Sequence, residues 1–127
     1  MAIINNTPHS INIIDPKDTH FDSAIRKWVA ATDDIKPILV IPSNGVLNAK
    51  ISTISSDPVD GIPCFDKAIN GCDPLPDDNN IHVVSALFAS AAAKSGMDMS
   101  RIMLVADPVM SADGKTFIGC RGLTKPF

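Results

Sequence analysis

The run from Arg101 to Leu123, RIMLVADPVMSADGKTFIGCRGL, constrains the fold more than any other stretch of the chain. Two apolar pieces, Arg101–Ala106 and Thr116–Cys120, flank a polar segment with a turn signal at Asp113-Gly114. That pattern reads as two strands of one ribbon. The second piece runs into Gly119-Cys120-Arg121-Gly122, where a cation sits between residues whose missing side chains let other groups approach the backbone. The upstream chain then has to supply a sheet for this ribbon to join and helices to cover it.

Before the ribbon, Ala2–Asp15 reads as two short strand pieces, Ile3-Ile4 and Ile11–Ile14, interrupted by Asn5-Asn6-Thr7-Pro8-His9. Pro8 removes a ladder donor, so the interruption is a bend, bulge or edge position. Phe21, Ala24, Ile25, Trp28 and Val29 fall at i, i+3, i+4, i+7 and i+8, which predicts an amphipathic helix over Phe21–Ala31. Pro37–Pro42 is a short apolar run bounded by prolines and reads as a buried strand. Ser43-Asn44-Gly45 would turn it into a second strand, Val46–Ile54. Ser55–Gly61 and Ala68–Asn80 carry Gly, Pro, Asp, Asn and Ser and read as loops, with Ile62–Phe65 an edge strand between them. Ile81–Val84 reads as a strand or as the entry to a helix. The Ala-rich run from Ser85 predicts that second helix, stopped by Gly96. The order β, α, several β, α, ββ predicts the α+β class, a mostly antiparallel sheet with two helices packed on it, in one domain over residues 1–127.

With 127 residues the chain matches the ordinary size of one domain. A domain this long buries roughly two-thirds of the surface its unfolded chain exposes, so it needs no metal or disulfide staple. Three cysteines, Cys64, Cys72 and Cys120, are an odd number without CxxC spacing, which predicts reduced thiols and a cytoplasmic protein. The net charge of −3 disfavours long nucleic acid, which requires a basic face. A small nucleotide needs only one or two cations and some backbone amides, so that class stays open. No apolar run reaches the ~20 residues of a membrane span, and no signal peptide is expected.

No histidine shares a helix face with an acid or another histidine, so no metal site and no cofactor is expected. His9 lies on irregular backbone dense in donors and is a candidate ligand-binding residue. Arg121 is the strongest, since a guanidinium offers a rigid fork for phosphate or carboxylate. Ser43, Asn44 and Gly45 could aim amides and a hydroxyl at an anion, and Asp107 is the best-placed acid. Each has a plainer reading. The turn can simply reverse the chain, Arg121 can make a surface ion pair, and Cys120 can be a small hydrophobe at the end of a buried strand. No catalytic residue is assigned.

Taken together, Asn5-Asn6-Thr7-Pro8-His9, Ile41-Pro42-Ser43-Asn44-Gly45, Gly61-Ile62-Pro63, Val83-Val84-Ser85 and Ile118-Gly119-Cys120-Arg121-Gly122-Leu123 form a TPH…PSxG…VS…GCRG pattern. In order and spacing it resembles a family of small, uncharacterised proteins encoded by phages and prophages. The resemblance spans most of the chain except about Pro16–Lys36, and it implies an accessory role in the host cytoplasm. The function expected is that of a non-enzymatic binder, an oligomer of like chains, that counteracts host defence by sequestering a nucleotide-like signal or blocking a host protein. A small enzyme using Cys120, His9 or Asp107 is the alternative class, and a minor virion component a third.

Overall fold

A computed structural model describes residues 2–127. The apolar halves of the C-terminal run form β9 (Ile102–Met110) and β10 (Phe117–Thr124), paired antiparallel from Phe117↔Met110 to Thr124↔Leu104. Asp107-Pro108 does not end the first of them. Asp107 adopts a left-handed conformation, φ 52°, within the strand, which continues to Met110. The connecting turn is held locally: Gly114 N–H donates to the Ser111 carbonyl, and the Asp113 carboxylate accepts from the Ser111 hydroxyl and Lys115 N–H.

The upstream strands wrap around this ribbon. β1 (Ile3–Asn5) runs parallel to β8 (Ile81–Val83), and β8 runs parallel to the start of β9. On the other side, β10 meets β2 (Ile11–Ile13) in parallel at Cys120↔Ile13, and β2 pairs antiparallel with β5 (Leu39–Ile41). The sheet order is therefore β1-β8-β9-β10-β2-β5. Its two ends meet through a bridge between Asn5 and Ser43, just beyond β5, so the mixed sheet nearly closes into a barrel. A second hairpin, β3 (Thr19–Asp22) with β4 (Lys27–Ala30), joins the far half of β9 through Trp28↔Val109 and Val29↔Met110. The third, β6 (Ala49–Val59) with β7 (Ile62–Cys72), forms a separate two-stranded sheet.

The expected α+β class is overturned. Strands hold 48% of the chain and helical residues 10%, so the architecture is mostly β around a mixed sheet. The predicted helix over Phe21–Ala31 is the β3–β4 hairpin, with Arg26 in the left-handed region at the turn, φ 55°. Local chemistry explains the difference. The Asp22 carboxylate accepts from the N–H groups of Ala24 and Ile25, an Asx-type turn that competes with helix. Phe21 and Trp28, seven apart and so stacked on a helix, face each other across the hairpin instead, with ring centroids 5.4 Å apart and planes at 72°. Spacing alone does not separate the two, but aromatic and β-branched residues favour the strand pair.

Further corrections follow from pairing. Ser43–Gly45 does not join two strands of a hairpin, because β5 pairs with β2 and β6 with β7. Nor is the Pro37–Pro42 run buried: Ile38, Leu39 and Val40 are more than half exposed on the sheet's last strand. Ser55–Val59 and Ala68–Cys72, expected as loops, belong to the β6–β7 ribbon.

The second helix forms where expected, as α1 (Ala86–Lys94). The Ser85 hydroxyl accepts from Phe88 N–H at the N-cap, and Gly96, φ 78°, follows the Ser95 cap. Its Phe88, Ala89 and Ala92 pack with Val84 and Ile102 into one buried cluster, completed by Leu47, Cys72 and Met97. Fully burying Phe88 contributes roughly 2–3 kcal/mol. A second cluster of Ile11, Val83 and Cys120 fills the space between β2, β8 and β10.

Candidate functional site

The polar stretches around Asn5, Ser43 and His82 come together at the barrel seam. Asn5 is 1% exposed and uses its whole amide. Its Nδ2 donates to the carbonyls of His9 and Ile41, at 2.8 and 3.0 Å, while its Oδ1 accepts from Thr7 N–H and the Thr7 hydroxyl. Asn44 N–H donates to the Asn5 carbonyl, and the Ser43 hydroxyl donates to the Thr7 carbonyl at 2.6 Å. Asn6 extends the seam: its Nδ2 donates to the Gly45 carbonyl, and its Oδ1 lies 2.7 Å from Nδ1 of buried His82. His82 Nε2 lies 3.0 Å from Asp78 Oδ1, which also accepts from Arg101 Nη1 at 2.9 Å. Thus Ser43, Asn44 and Gly45 spend these groups on the chain's own closure.

The hydrogen bond from His82, followed by Asn80 N–H, holds the Asp78 carboxyl below its ordinary range. A carboxyl with a lowered folded pKa binds fewer protons folded than unfolded between the two values. Its stabilisation is therefore present above the ordinary carboxyl range and disappears as pH falls through the lowered value. We expect urea midpoints to drop in acid, and Asp78→Asn to flatten that drop. Identical acid slopes for the two proteins would rule this out.

Arg121 lies on the opposite ladder, across from Asp107. Its Nη1 donates to Asp107 Oδ2 at 3.1 Å, its Nε donates to the Thr19 hydroxyl, and its guanidinium carbon sits 3.6 Å from the Trp28 ring centroid. Trp28 and Asp107 line a cavity of about 350 Å³ with Phe21, Arg26, Lys27 and Phe117. An anion arriving at Arg121 has to compete with a carboxylate already in place.

His9 stands elsewhere, on the rim of a groove of about 550 Å³. Ile11, Leu104, Ile118 and the exposed Phe117 form its apolar wall, Thr7, Ser10, Asn12 and Ser85 add polar groups, and Cys120 lies at its floor. Ser85 and Ala86 bring the first turn of α1 to the edge, where unpaired backbone N–H groups and the helix dipole favour negative charge. Burial raises the Cys120 thiol pKa, keeping it protonated rather than activated as thiolate.

The six candidate residues are thus distributed over the seam (Ser43, Asn44, Gly45), the Trp28 face (Arg121, Asp107) and the groove (His9). Ser85 and Phe117, not singled out from sequence as site residues, line the same groove as His9. The helix beginning at Ser85 was legible, but its sharing a groove with His9 depends on β8 and β2 being brought together across β9 and β10. Among the described residues, no helix is long and apolar enough to cross a membrane, which says nothing of strands, and no group of three potential metal ligands gathers. No family model, curated protein or solved structure matches the chain.

Proposed function

We propose that the chain is a non-enzymatic binder, a phage-type accessory protein that sequesters a small nucleotide-like anion in the groove beside His9. The single observation that supports this reading most is the composition of that groove. A volume of about 550 Å³ suits a small molecule. An apolar wall ending in Phe117 offers a face for a planar ring. His9 and the first turn of α1, also on the lining, offer donors to a charged group.

The enzyme alternative keeps one observation of its own, since His9 and Cys120 line the same groove. Against it stand the raised thiol pKa of Cys120 and the position of Asp107 in a different cavity.

Thermal unfolding with a panel of cyclic and ADP-ribose-type nucleotides tests the proposal. A ligand at 100-fold excess over its Kd adds about 2.7 kcal/mol of apparent stability. We expect a shift of that kind that His9→Ala largely abolishes, with the ligand recovered chemically unaltered. A shift lost in Arg121→Ala and kept in His9→Ala would move the site to the Trp28 face. No shift with any member of the panel would leave the blocking of a host protein as the better reading, and an altered ligand would establish the enzyme.

A further inference from the structure

We propose that the ligand of the groove carries a pyrophosphate, whose second phosphate passes over Phe117 to Lys27 and Arg26 in the neighbouring cavity. The inference rests on the groove reading above and narrows its ligand class to open-chain diphosphates rather than cyclic monophosphates. It begins from a shortage of charge. Among the described residues, no Lys, Arg or Asp lines the groove of about 550 Å³, so His9 and the first turn of α1 are what it offers an anion. Those groups suit one phosphate. A second negative charge held among Ile11, Leu104 and Ile118 would lose water without gaining a counter-charge, which is costly.

Phe117 is the partition between the groove and a place that supplies the counter-charge. It lines both the groove and the cavity of about 350 Å³ on the Trp28 side, and no other residue lines both. Phe117 begins β10 and His9 lies just before β2; the two strands run parallel, so both residues stand at the same end of the pair. The Phe117 side chain is 62% exposed, so the partition is open to solvent. Lys27 Nζ lies over its ring, 5.3 Å from the centroid, and Arg26 precedes Lys27 at the turn of the β3–β4 hairpin.

Charge then chooses among the cations on that side. Arg121 already pairs with Asp107, the one acid on the cavity lining. Arg26 and Lys27 are exposed and, among the described residues, make no ion pair. The contact of Lys27 with Phe117 is of the exposed cation–ring kind, weaker than a charge-assisted hydrogen bond to phosphate. Lys27 and Arg26, rather than Arg121, are therefore the cations free to meet the second phosphate.

Isothermal titration of the full chain with adenosine, AMP, cyclic AMP, ADP and ADP-ribose tests the inference. At low salt, ADP and ADP-ribose are expected to bind roughly tenfold more tightly than AMP and cyclic AMP, with the gap closing as salt rises. Lys27→Gln with Arg26→Asn removes both charges, and Asn tolerates the left-handed conformation of Arg26, φ 55°. In that variant the diphosphates should fall to the AMP level while AMP affinity is unchanged, and His9→Ala should weaken every phosphate ligand. A diphosphate advantage that is missing in the wild type, or that survives the double substitution, overturns the inference, while His9-dependent AMP binding leaves the groove reading standing. Diphosphate binding lost in the double variant but indifferent to His9→Ala also overturns it, because the ligand then occupies the Trp28-side cavity alone. Binding by none of the five removes the groove reading for this class of ligand and the inference with it.

Discussion

Asn5→Ala is expected to lower stability by roughly 4 kcal/mol, the largest loss from any one side chain at the seam. Removing the amide takes the partner from the Ile41 carbonyl and the Thr7 N–H, while the exposed His9 carbonyl keeps its bond from the Thr7 hydroxyl. An unsatisfied polar group shielded from water costs about 1–3 kcal/mol, and two of them beside Asn5, itself 1% exposed, account for the loss. For a domain of this size the loss corresponds to a fall in Tm of roughly 15 °C. Asn44→Ala is the control. That side chain is exposed, and the residue's backbone N–H, which the substitution keeps, makes the bond to Asn5. Its effect should stay within about 0.5 kcal/mol. Thermal unfolding followed by circular dichroism decides the matter, and a loss below about 1 kcal/mol for Asn5→Ala would refute the seam as a principal stabilising element.

Gly119→Ala is expected to cost about 3 kcal/mol, at the upper end of what overpacking usually does. A methyl group there would fall well inside contact distance of the Asn12 carbonyl oxygen and 3.1 Å from Asn12 Cβ and Ile14 Cγ1. The first of these is backbone of the paired strand, so relief requires β2 and β10 to separate where Cys120 faces Ile13. That junction joins the two halves of the barrel wall, and little else is free to move. Gly122 flanks Arg121 on the other side, yet a methyl group there meets nothing within 4 Å. Gly122→Ala should therefore be near neutral. Urea titration of both variants gives the contrast directly, and equal midpoints would contradict this account of the β2–β10 contact.

These two results separate what reads alike in the sequence. Gly119 and Gly122 both flank Arg121, but only one touches another strand. Asn5 and Asn44 both look like turn residues, but only one is buried. Local chemistry was legible at the Ala-rich helix, the Gly96 stop and the Asp113-Gly114 turn, which rest on neighbours within a few residues, and in the β9–β10 ribbon, whose strands follow one another in the chain. The β3–β4 hairpin misled because Phe21 and Trp28 at a seven-residue spacing satisfy a helix face and a cross-strand pair equally well. The docking of Trp28 beside Val109, far along the chain, resolves that ambiguity. Arg121 shows the same limit, since its pairing with Asp107 and its stacking on Trp28 belong to three different strands.

By itself, then, the order of residues determined the Asp113-Gly114 turn, the helix α1 with its Gly96 stop and the apolar stretches able to become strands. Tertiary structure alone decided which strand lies beside which, that Asn5 and Ser43 close the sheet, and that His9 shares a groove with Ser85. The reason is physical: a strand leaves half of its hydrogen-bonding groups to a partner chosen by packing across long loops, whereas a helix or turn satisfies its own.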